Sequence, residues 1–392
     1  MRILMVNKYY PPHVGGIEFH VRDLAEGLVQ AGHEVRVLVC NNEKTYKEEE
    51  MNGVEVVRLP RDFEKASTPV SFFFRKTLAR FADEADLVHF HFPYPFGEFE
   101  WLRTPNFAQK KTPYVVTYHT DIVRQKTALA LYKPFLQKFL DGAERIISSS
   151  PQLIEYSEFL APRAGKCTQI NFGLPVEHIA HNEAAKARAQ ELRASLGNKP
   201  IVLFVGRLVY YKGVDVLADA LEFIDPEAHI VVIGRRELPD QMVARAKALG
   251  CVDRLHIIDF ADNEELIAWY HAADVFTLPS VFPSEAFGLV QIEAHAAHTP
   301  VVSTLLRSGV PYANLDGVTG FSVEVGSAKA LARGINTLLR DDALRAEMGE
   351  RAQRRALEEF TVPRMIENTT RLYCDVLDAH LKQSPEVVDA HV

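Results

Sequence analysis

The sequence predicts an α/β protein of two doubly wound parallel sheets. Short Val/Ile/Leu-rich runs recur along the chain, as strands covered on both faces require. Segments of helical length separate them, an alternation that reads as parallel sheets. A joint punctuated by Gly and Pro, Asn171-Phe172-Gly173-Leu174-Pro175, splits the alternation into two series.

In the first series the expected strands are Arg2–Asn7, Glu34–Val39, Val54–Leu59, Asp86–Phe90, Tyr114–Tyr118, Arg145–Ser149 and Cys167–Phe172. The clearest helical stretches between them are Ile17–Ala31, Ser71–Ala82, Gln125–Asp141 and Pro151–Leu160. Past the joint, the polar, Ala-rich stretch His181–Asn198 reads as a surface helix. The second series is more regular: Ile201–Val205, His229–Ile233, Leu255–Asp259, Val275–Leu278, Pro300–Thr304 and Phe321–Val325. A helix-length segment follows each strand except in the last pair, where a loop is expected. One more amphipathic helix follows Phe360-Thr361-Val362-Pro363, and the tail Lys382–Val392 reads as frayed. The expected domains are 1–173 plus 361–392, and 174–360.

Length and composition bound the function. A chain of 392 residues fits two or three domains at roughly 100–200 residues each. A net charge of −8 argues against a duplex-DNA binder, and no nucleic-acid partner is expected. The four cysteines (Cys40, Cys167, Cys251, Cys374) lie far apart without a CxxC pair, which excludes the usual zinc-ribbon and thioredoxin patterns and fits a reducing compartment. No apolar run approaches the ~18 residues of a membrane span. The opening run Ile3–Val6 is interrupted by Lys8 and Pro11-Pro12, too short for a secretory core, so the expected location is the cytoplasm.

The residues that could carry chemistry sit at strand ends. After the first strand, Gly15-Gly16 precedes a helix; bare backbone and helix N–H groups there make a place for an anion, or only a flexible turn. In the second series a strand ends in Gly206-Arg207, with Lys212 five residues on. Ligands of open α/β sheets bind outside the carboxyl ends of strands, and neither cation has an acidic partner nearby in sequence. Two such cations suit a diphosphate; the alternative is solvated surface charge. The sharpest signal is Pro283-Ser284-Glu285-Ala286-Phe287-Gly288-Leu289-Val290-Gln291-Ile292-Glu293-Ala294, after the strand Val275–Leu278. A helix start near Phe287–Leu289 would aim the N–H groups of Phe287, Gly288 and Leu289 at a phosphate. Glu293 would then lie one turn in, placed to accept from a ribose, and Glu285 would stay in the loop to bind a sugar's hydroxyls. His119 follows a strand end, as a loop hydrogen-bonder or a catalytic group. His89 and His91 share one strand face, but no nearby Cys, Asp or Glu completes a ligand set, so no metal is expected. His295 and His298 are expected to cap or pack the end of the Glu293 helix. Ser-His-Asp order, HExxH, Walker A and Asp-x-Asp are all missing from the sequence.

Taken together, Pro11-Pro12 with Gly15-Gly16, Gly206-Arg207 with Lys212-Gly213, the Glu285/Glu293 pair, Thr299-Pro300-Val301-Val302 and Asp316-Gly317-Val318-Thr319-Gly320 resemble glycosyltransferase family 4 over nearly the full length. The resemblance implies the retaining GT-B architecture: two Rossmann-like domains facing a cleft, with the C-terminal helix crossing back to the first. It implies that the second domain binds a nucleotide-diphosphate sugar, and the first an acceptor. In that arrangement Arg207 and Lys212 hold the diphosphate, Glu293 the ribose and Glu285 the transferred sugar. Gly16 offers a backbone N–H to the phosphate, and His119 lies beside the reaction centre. No cofactor or metal is implied, the donor being a co-substrate. Fixed cations and helix N–H groups can stabilise the leaving β-phosphate without a metal. Front-face attack and double displacement both stay open.

Two other readings share the architecture: a nucleotide-sugar epimerase or hydrolase, and a non-catalytic nucleotide-sugar binder. The first needs acid/base carboxylates that no motif position supplies; the intact Arg207, Lys212, Glu285 and Glu293 weigh against the second. The stretch Val301–Tyr312 resembles members that build bacterial surface polysaccharides, many of them mannosyl- or rhamnosyltransferases. GDP-mannose is therefore the expected donor and UDP-hexose the next, with a base pocket built from backbone around Phe260–Asn263. The acceptor is expected to be a glycan or a lipid-linked glycan. Between Val70 and Leu140, ten Lys/Arg face six Asp/Glu beside Phe72-Phe73-Phe74 and the aromatic loop Phe92–Trp101. That mixture predicts peripheral contact with an anionic membrane, and ordinary solvated charge over a buried Phe cluster is the alternative.

Overall fold

The computed structural model describes residues 1–65, 67–122, 126–235 and 239–383. It divides into two compact units, one of Met1–Gly173 with the segment from Val362 onward, the other of Leu174–Thr361.

The first unit holds β1 (Arg2–Val6), β2 (Glu34–Cys40), β3 (Lys47–Met51), β4 (Val54–Leu59), β5 (Phe63–Lys65), β6 (Thr68–Val70), β7 (Leu87–Phe92), β8 (Tyr114–Tyr118), β9 (Arg145–Ser148) and β10 (Cys167–Gln169). Eight of them form one sheet in the order β10-β9-β8-β7-β1-β2-β4-β3. Every pairing in it is parallel except β3 with β4. The alternation within β1 shows why the sheet needs cover on both sides. Leu4 and Val6 enter one core, with Phe74, Leu78 and Phe81 of the helix Phe74–Glu84 and Phe139 of the helix Lys126–Gly142. Ile3 and Met5 enter the other, with Val21, Leu24 and Leu28 of the helix Gly16–Gln30. The final helix, Val362–Gln383, closes this second face through Met365, Ile366, Tyr373 and Val376. This helix therefore packs on the unit that holds β1, although it follows the second unit in sequence.

The second unit holds β11 (Ile201–Val205), β12 (His229–Ile233), β13 (Leu255–Ile258), β14 (Val275–Leu278), β15 (Val301–Thr304) and β16 (Gly320–Val323). They make an all-parallel sheet in the order β13-β12-β11-β14-β15-β16. The order reverses between β11 and β14, and between β1 and β7 in the first sheet. At such switch points the loops leaving neighbouring strands diverge and leave room for a ligand.

The departures from the sequence reading have local causes. β3, of sequence Lys-Glu-Glu-Glu-Met, is an exposed antiparallel edge strand with no apolar alternation to announce it. The ribbon β5–β6 is similarly short and mostly exposed. The strand expected over Cys167–Phe172 stops at Gln169. The expected helix Pro151–Leu160 ends at Tyr156, with a 3₁₀ segment Ala161–Lys166 beyond. The helix expected from Ser71 begins at Phe74 instead. β15 and β16 are joined through a single helical turn, Val310–Ala313, rather than a plain loop. The final helix runs to Gln383, and the rest of the tail read as frayed lies outside the described residues.

Candidate active site

In the second unit the loops after β11 and β14 leave adjacent parallel strands and are locked together. Gly213 sits at φ +67°, and a Cβ there would fall 1.9 Å from the Pro279 carbonyl oxygen. Only glycine lets the turn carrying Lys212 approach so closely. The Val281 N–H donates to the Tyr211 carbonyl at 2.8 Å and completes the lock.

Lys212 ends the 3₁₀ turn Tyr210–Lys212 and is buried. Its Nζ lies 2.5 Å from Glu285 Oε2, which also accepts from the Ser280 hydroxyl at 3.1 Å. The lack of an evident acidic partner near Lys212 in sequence therefore does not leave it unpaired in the fold. The partner is 73 positions away in sequence, brought over by the β11–β14 pairing. Its ammonium keeps further donors for a second anion. Arg207 is exposed, and its Nη2 makes a long contact with the Tyr211 hydroxyl at 3.4 Å.

Glu285 lies in the loop, as read from the sequence, but the helix after it is Val290–Ala296 and starts later than expected. Gly288 forces the delay. It takes φ +75°, and a Cβ there would press within 2.5 Å of Leu278. Phe287, Gly288 and Leu289 consequently form the turn ahead of the helix. The N–H groups of Gly288 and Leu289 find no acceptor among the described residues. Glu293 sits one turn in, and its Oε2 accepts from the Tyr270 hydroxyl at 2.5 Å. Burial raises the Glu293 pKa, and the Tyr270 hydrogen bond opposes the rise. Tyr270, on the helix Asn263–Ala272, went unnoticed in the sequence. A Tyr inside an apolar helix gives no sign that it will meet a carboxylate 23 positions on. His295 is buried, and His298 takes a left-handed conformation past the helix end.

In the first unit Gly15-Gly16 follows β1 and caps the helix Gly16–Gln30. Nothing lies within 4 Å of where a Gly16 Cβ would stand, so its backbone is open. The Glu18 carboxylate folds back against Gly15. His119 follows β8 and is buried, its Nε2 3.2 Å from His91 Nδ1. His20 packs edge-on against both rings, at centroid distances of 5.6 Å and 5.1 Å. Burial drives the pKa values of all three below the usual histidine range, His20 to about 4, with neighbouring imidazoles adding to the effect at His91 and His119. His89 is satisfied separately, by Tyr373 at 2.6 Å and Thr117 at 2.7 Å. The sequence argument against a metal assumed that nothing completes the His91 set. The structure changes that premise, because His20 and His119 come from two other elements to join it.

Two doubly wound sheets, each with its ligand-type loops at the switch point and a last helix returned to the first unit, define the GT-B class. The model for Glycosyltransferase Family 4 matches residues 14–177, and that for Glycosyl transferases group 1 matches residues 187–355. The D-rhamnosyltransferase WbpZ of Pseudomonas aeruginosa is 32% identical over 92% of this chain and 92% of its own length. The O-antigen chain mannosyltransferase C of Escherichia coli is 30% identical over 97% of this chain and 100% of its own. Among solved structures, sucrose-phosphate synthase from Thermosynechococcus elongatus superposes with a TM-score of 0.77 at 23% identity, covering 96% of this chain and 99% of that one. The chain belongs to glycosyltransferase family 4 and is a retaining glycosyltransferase. Of the three readings the sequence left open, the comparisons favour the transferase.

Proposed function

We propose that the protein moves a hexose from GDP-mannose, with retention, to a glycan or lipid-linked acceptor in bacterial surface-polysaccharide synthesis. The observation that carries the chemistry is the pairing of exposed Arg207 with buried, Glu285-anchored Lys212 at the carboxyl edge of β11 and β14. Breaking the sugar C1–O bond leaves negative charge on the β-phosphate oxygen. Arg207, Lys212 and the N–H groups of Gly288 and Leu289 are fixed donors suited to that charge. Glu293 is assigned to the ribose, and the family resemblance assigns Gly15 and Gly16 to the phosphate and His119 to the sugar. Glu285 binds the sugar's hydroxyls with whatever capacity Lys212 and Ser280 leave it. A carboxylate already held by a cation and a hydroxyl is a poor nucleophile, which favours front-face attack, the β-phosphate oxygen taking the acceptor's proton.

The donor assignment rests on the names of the two relatives, one a rhamnosyltransferase and the other a mannosyltransferase. The exposed Phe260, just past β13, offers a face on which a base can stack. Calorimetric titration with GDP and UDP tests the base, and tighter UDP binding would reverse the assignment. Acceptor-dependent nucleotide release from a donor panel tests the reaction itself.

No described helix is long and apolar enough to cross a membrane. We place the protein in the cytoplasm, at the inner face of the plasma membrane. Of the three phenylalanines expected either to dock or to form a buried cluster, only Phe74 is buried; Phe72 and Phe73 are 76% and 59% exposed. Several basic neighbours are paired, Arg75 and Arg103 with Glu100, Lys111 with Asp83, Lys133 with Glu158. The side chains of Arg124 and Lys126 lie outside the described residues. Exposed aromatics thus support the contact more than free charge does. Flotation with anionic vesicles should show salt-sensitive binding that Phe72→Ser/Phe73→Ser abolishes; no flotation at low salt would point to a soluble acceptor.

A further inference from the structure

The buried histidine cluster of the first unit has no use in the chemistry above beyond His119 itself. We propose that His20, His91 and His119 form a tris-imidazole site for a divalent cation of the zinc type. The residues come from three separate elements: His20 from the helix Gly16–Gln30, His91 from β7, His119 from the turn after β8. One ligand atom from each lies within 4.8 Å of the other two. The closest pair, His91 Nδ1 and His119 Nε2, is 3.2 Å apart. Two nitrogens bound to one tetrahedral zinc, each about 2.1 Å from it, are about 3.4 Å apart, so this pair already stands at ligand spacing.

Unmet polar valence points the same way. His20 is only 8% exposed, and both its ring nitrogens are without a hydrogen-bond partner among the described residues. A buried imidazole with neither nitrogen satisfied is a group that native interiors seldom leave unexplained, and a cation shared with His91 and His119 is one explanation of it. His89, the fourth ring in the cluster, shows the contrast, because hydroxyls satisfy both its nitrogens. An all-imidazole set suits Zn²⁺, Co²⁺ or Ni²⁺, whereas Mg²⁺ and Ca²⁺ want oxygen ligands. Each neutral ring would bind through its lone pair. The proton now shared between His91 and His119 would move to the far nitrogen of its own ring, so nothing need be released.

Occupancy has a consequence that rests on the proposed place of His119 beside the sugar. A doubly charged cation there opposes an oxocarbenium-like centre, so the zinc-loaded protein should transfer more slowly than the metal-free one. The test uses the full, untagged chain. Calorimetry should show one Zn²⁺ per chain, Co²⁺ should give the visible absorption of a tetrahedral nitrogen site, and Mg²⁺ should not bind. His20→Phe and His91→Phe should each weaken Zn²⁺ binding at least 10-fold. His20→Gln, gentler on the fold, should weaken it as well. His256→Gln, which disrupts the separate His229–His256 pair, should leave it unchanged. Circular dichroism would confirm that each variant is folded. Absence of stoichiometric binding, or an affinity that none of the three substitutions moves, overturns the site and leaves a plain hydrogen-bonded cluster. Stoichiometric binding with undiminished transfer would uphold the site and instead refute the position given to His119.

Discussion

Replacing Lys212 by Met should damage both stability and transfer, and the two effects can be separated. The substitution keeps the length and apolar stem but removes the ammonium 2.5 Å from Glu285, leaving that carboxylate with the Ser280 hydroxyl. Breaking one side of a buried pair costs about 3–5 kcal/mol. The side chains retain 11% and 9% exposure, so the low end, about 3 kcal/mol, applies. For a unit of this size that lowers its melting temperature by about 6–12 °C. Adding Glu285→Gln removes the stranded charge, and the double variant should recover to within about 1 kcal/mol, or about 2–4 °C, of the parent. Differential scanning calorimetry of the parent, both single variants and the double gives the coupling directly. Turnover behaves differently: Lys212→Met and the double variant should both fall about 10²-fold or more, the scale for losing one preorganised donor. Additive melting losses would refute the ion pair as a coupled unit. Recovered turnover in the double variant would refute Lys212 as a phosphate ligand and leave it a structural counter-charge.

Arg207→Ala should lower turnover about 10²-fold with almost no change in melting temperature, because the guanidinium is exposed and, among the described residues, makes only the long Tyr211 contact; steady-state kinetics with calorimetry checks both halves. Tyr270→Phe should weaken nucleotide binding about 5-fold, roughly the 1 kcal/mol of one hydrogen bond, with kcat nearly unchanged; a kcat loss without a KM change would contradict a ribose role for Glu293. Glu98→Gln should stabilise the first unit increasingly as pH rises. Burial lifts the Glu98 pKa from 4.5 to about 8, against the Tyr94 N–H and Lys8, so the native state keeps a proton that the unfolded chain releases. The stability tied to that proton is full below about 4.5 and gone above about 8; melting temperatures of parent and variant should therefore converge near pH 5 and separate by pH 9.

The fold was legible because most of its strands are buried on both faces and so are written as unbroken apolar runs. β1, β2, β4, β8, β11, β12 and β14 appear in the sequence within a residue of where they fold. What failed had no apolar signature. The charged edge strand β3 is defined by its neighbour's unpaired backbone, and the ribbon β5–β6 by a local turn. The late start of the helix Val290–Ala296 follows from one positive φ at Gly288, which the residue's identity permits but does not locate.

For the candidate site, sequence gave positions without partners. Arg207, Lys212, Glu285 and Glu293 could be picked out because each follows a strand end, where a parallel sheet exposes its ligand edge. That Lys212 and Glu285 are one buried pair, and that Glu293 leans on Tyr270, depends on which strands are neighbours. Strand order is a property of the whole sheet, and no local window contains it. His20 makes the same point more sharply. Five residues into an amphipathic helix, it reads as an ordinary core position. Only the pairing of β7 with β8, and the packing of that helix over them, brings it to His91 and His119. A reading confined to motifs therefore finds residues and misses which of them face one another. In this chain Lys212, Glu285, His91 and His119 could each be singled out, whereas the Lys212–Glu285 pair and the joining of His20 to the other two histidines could not.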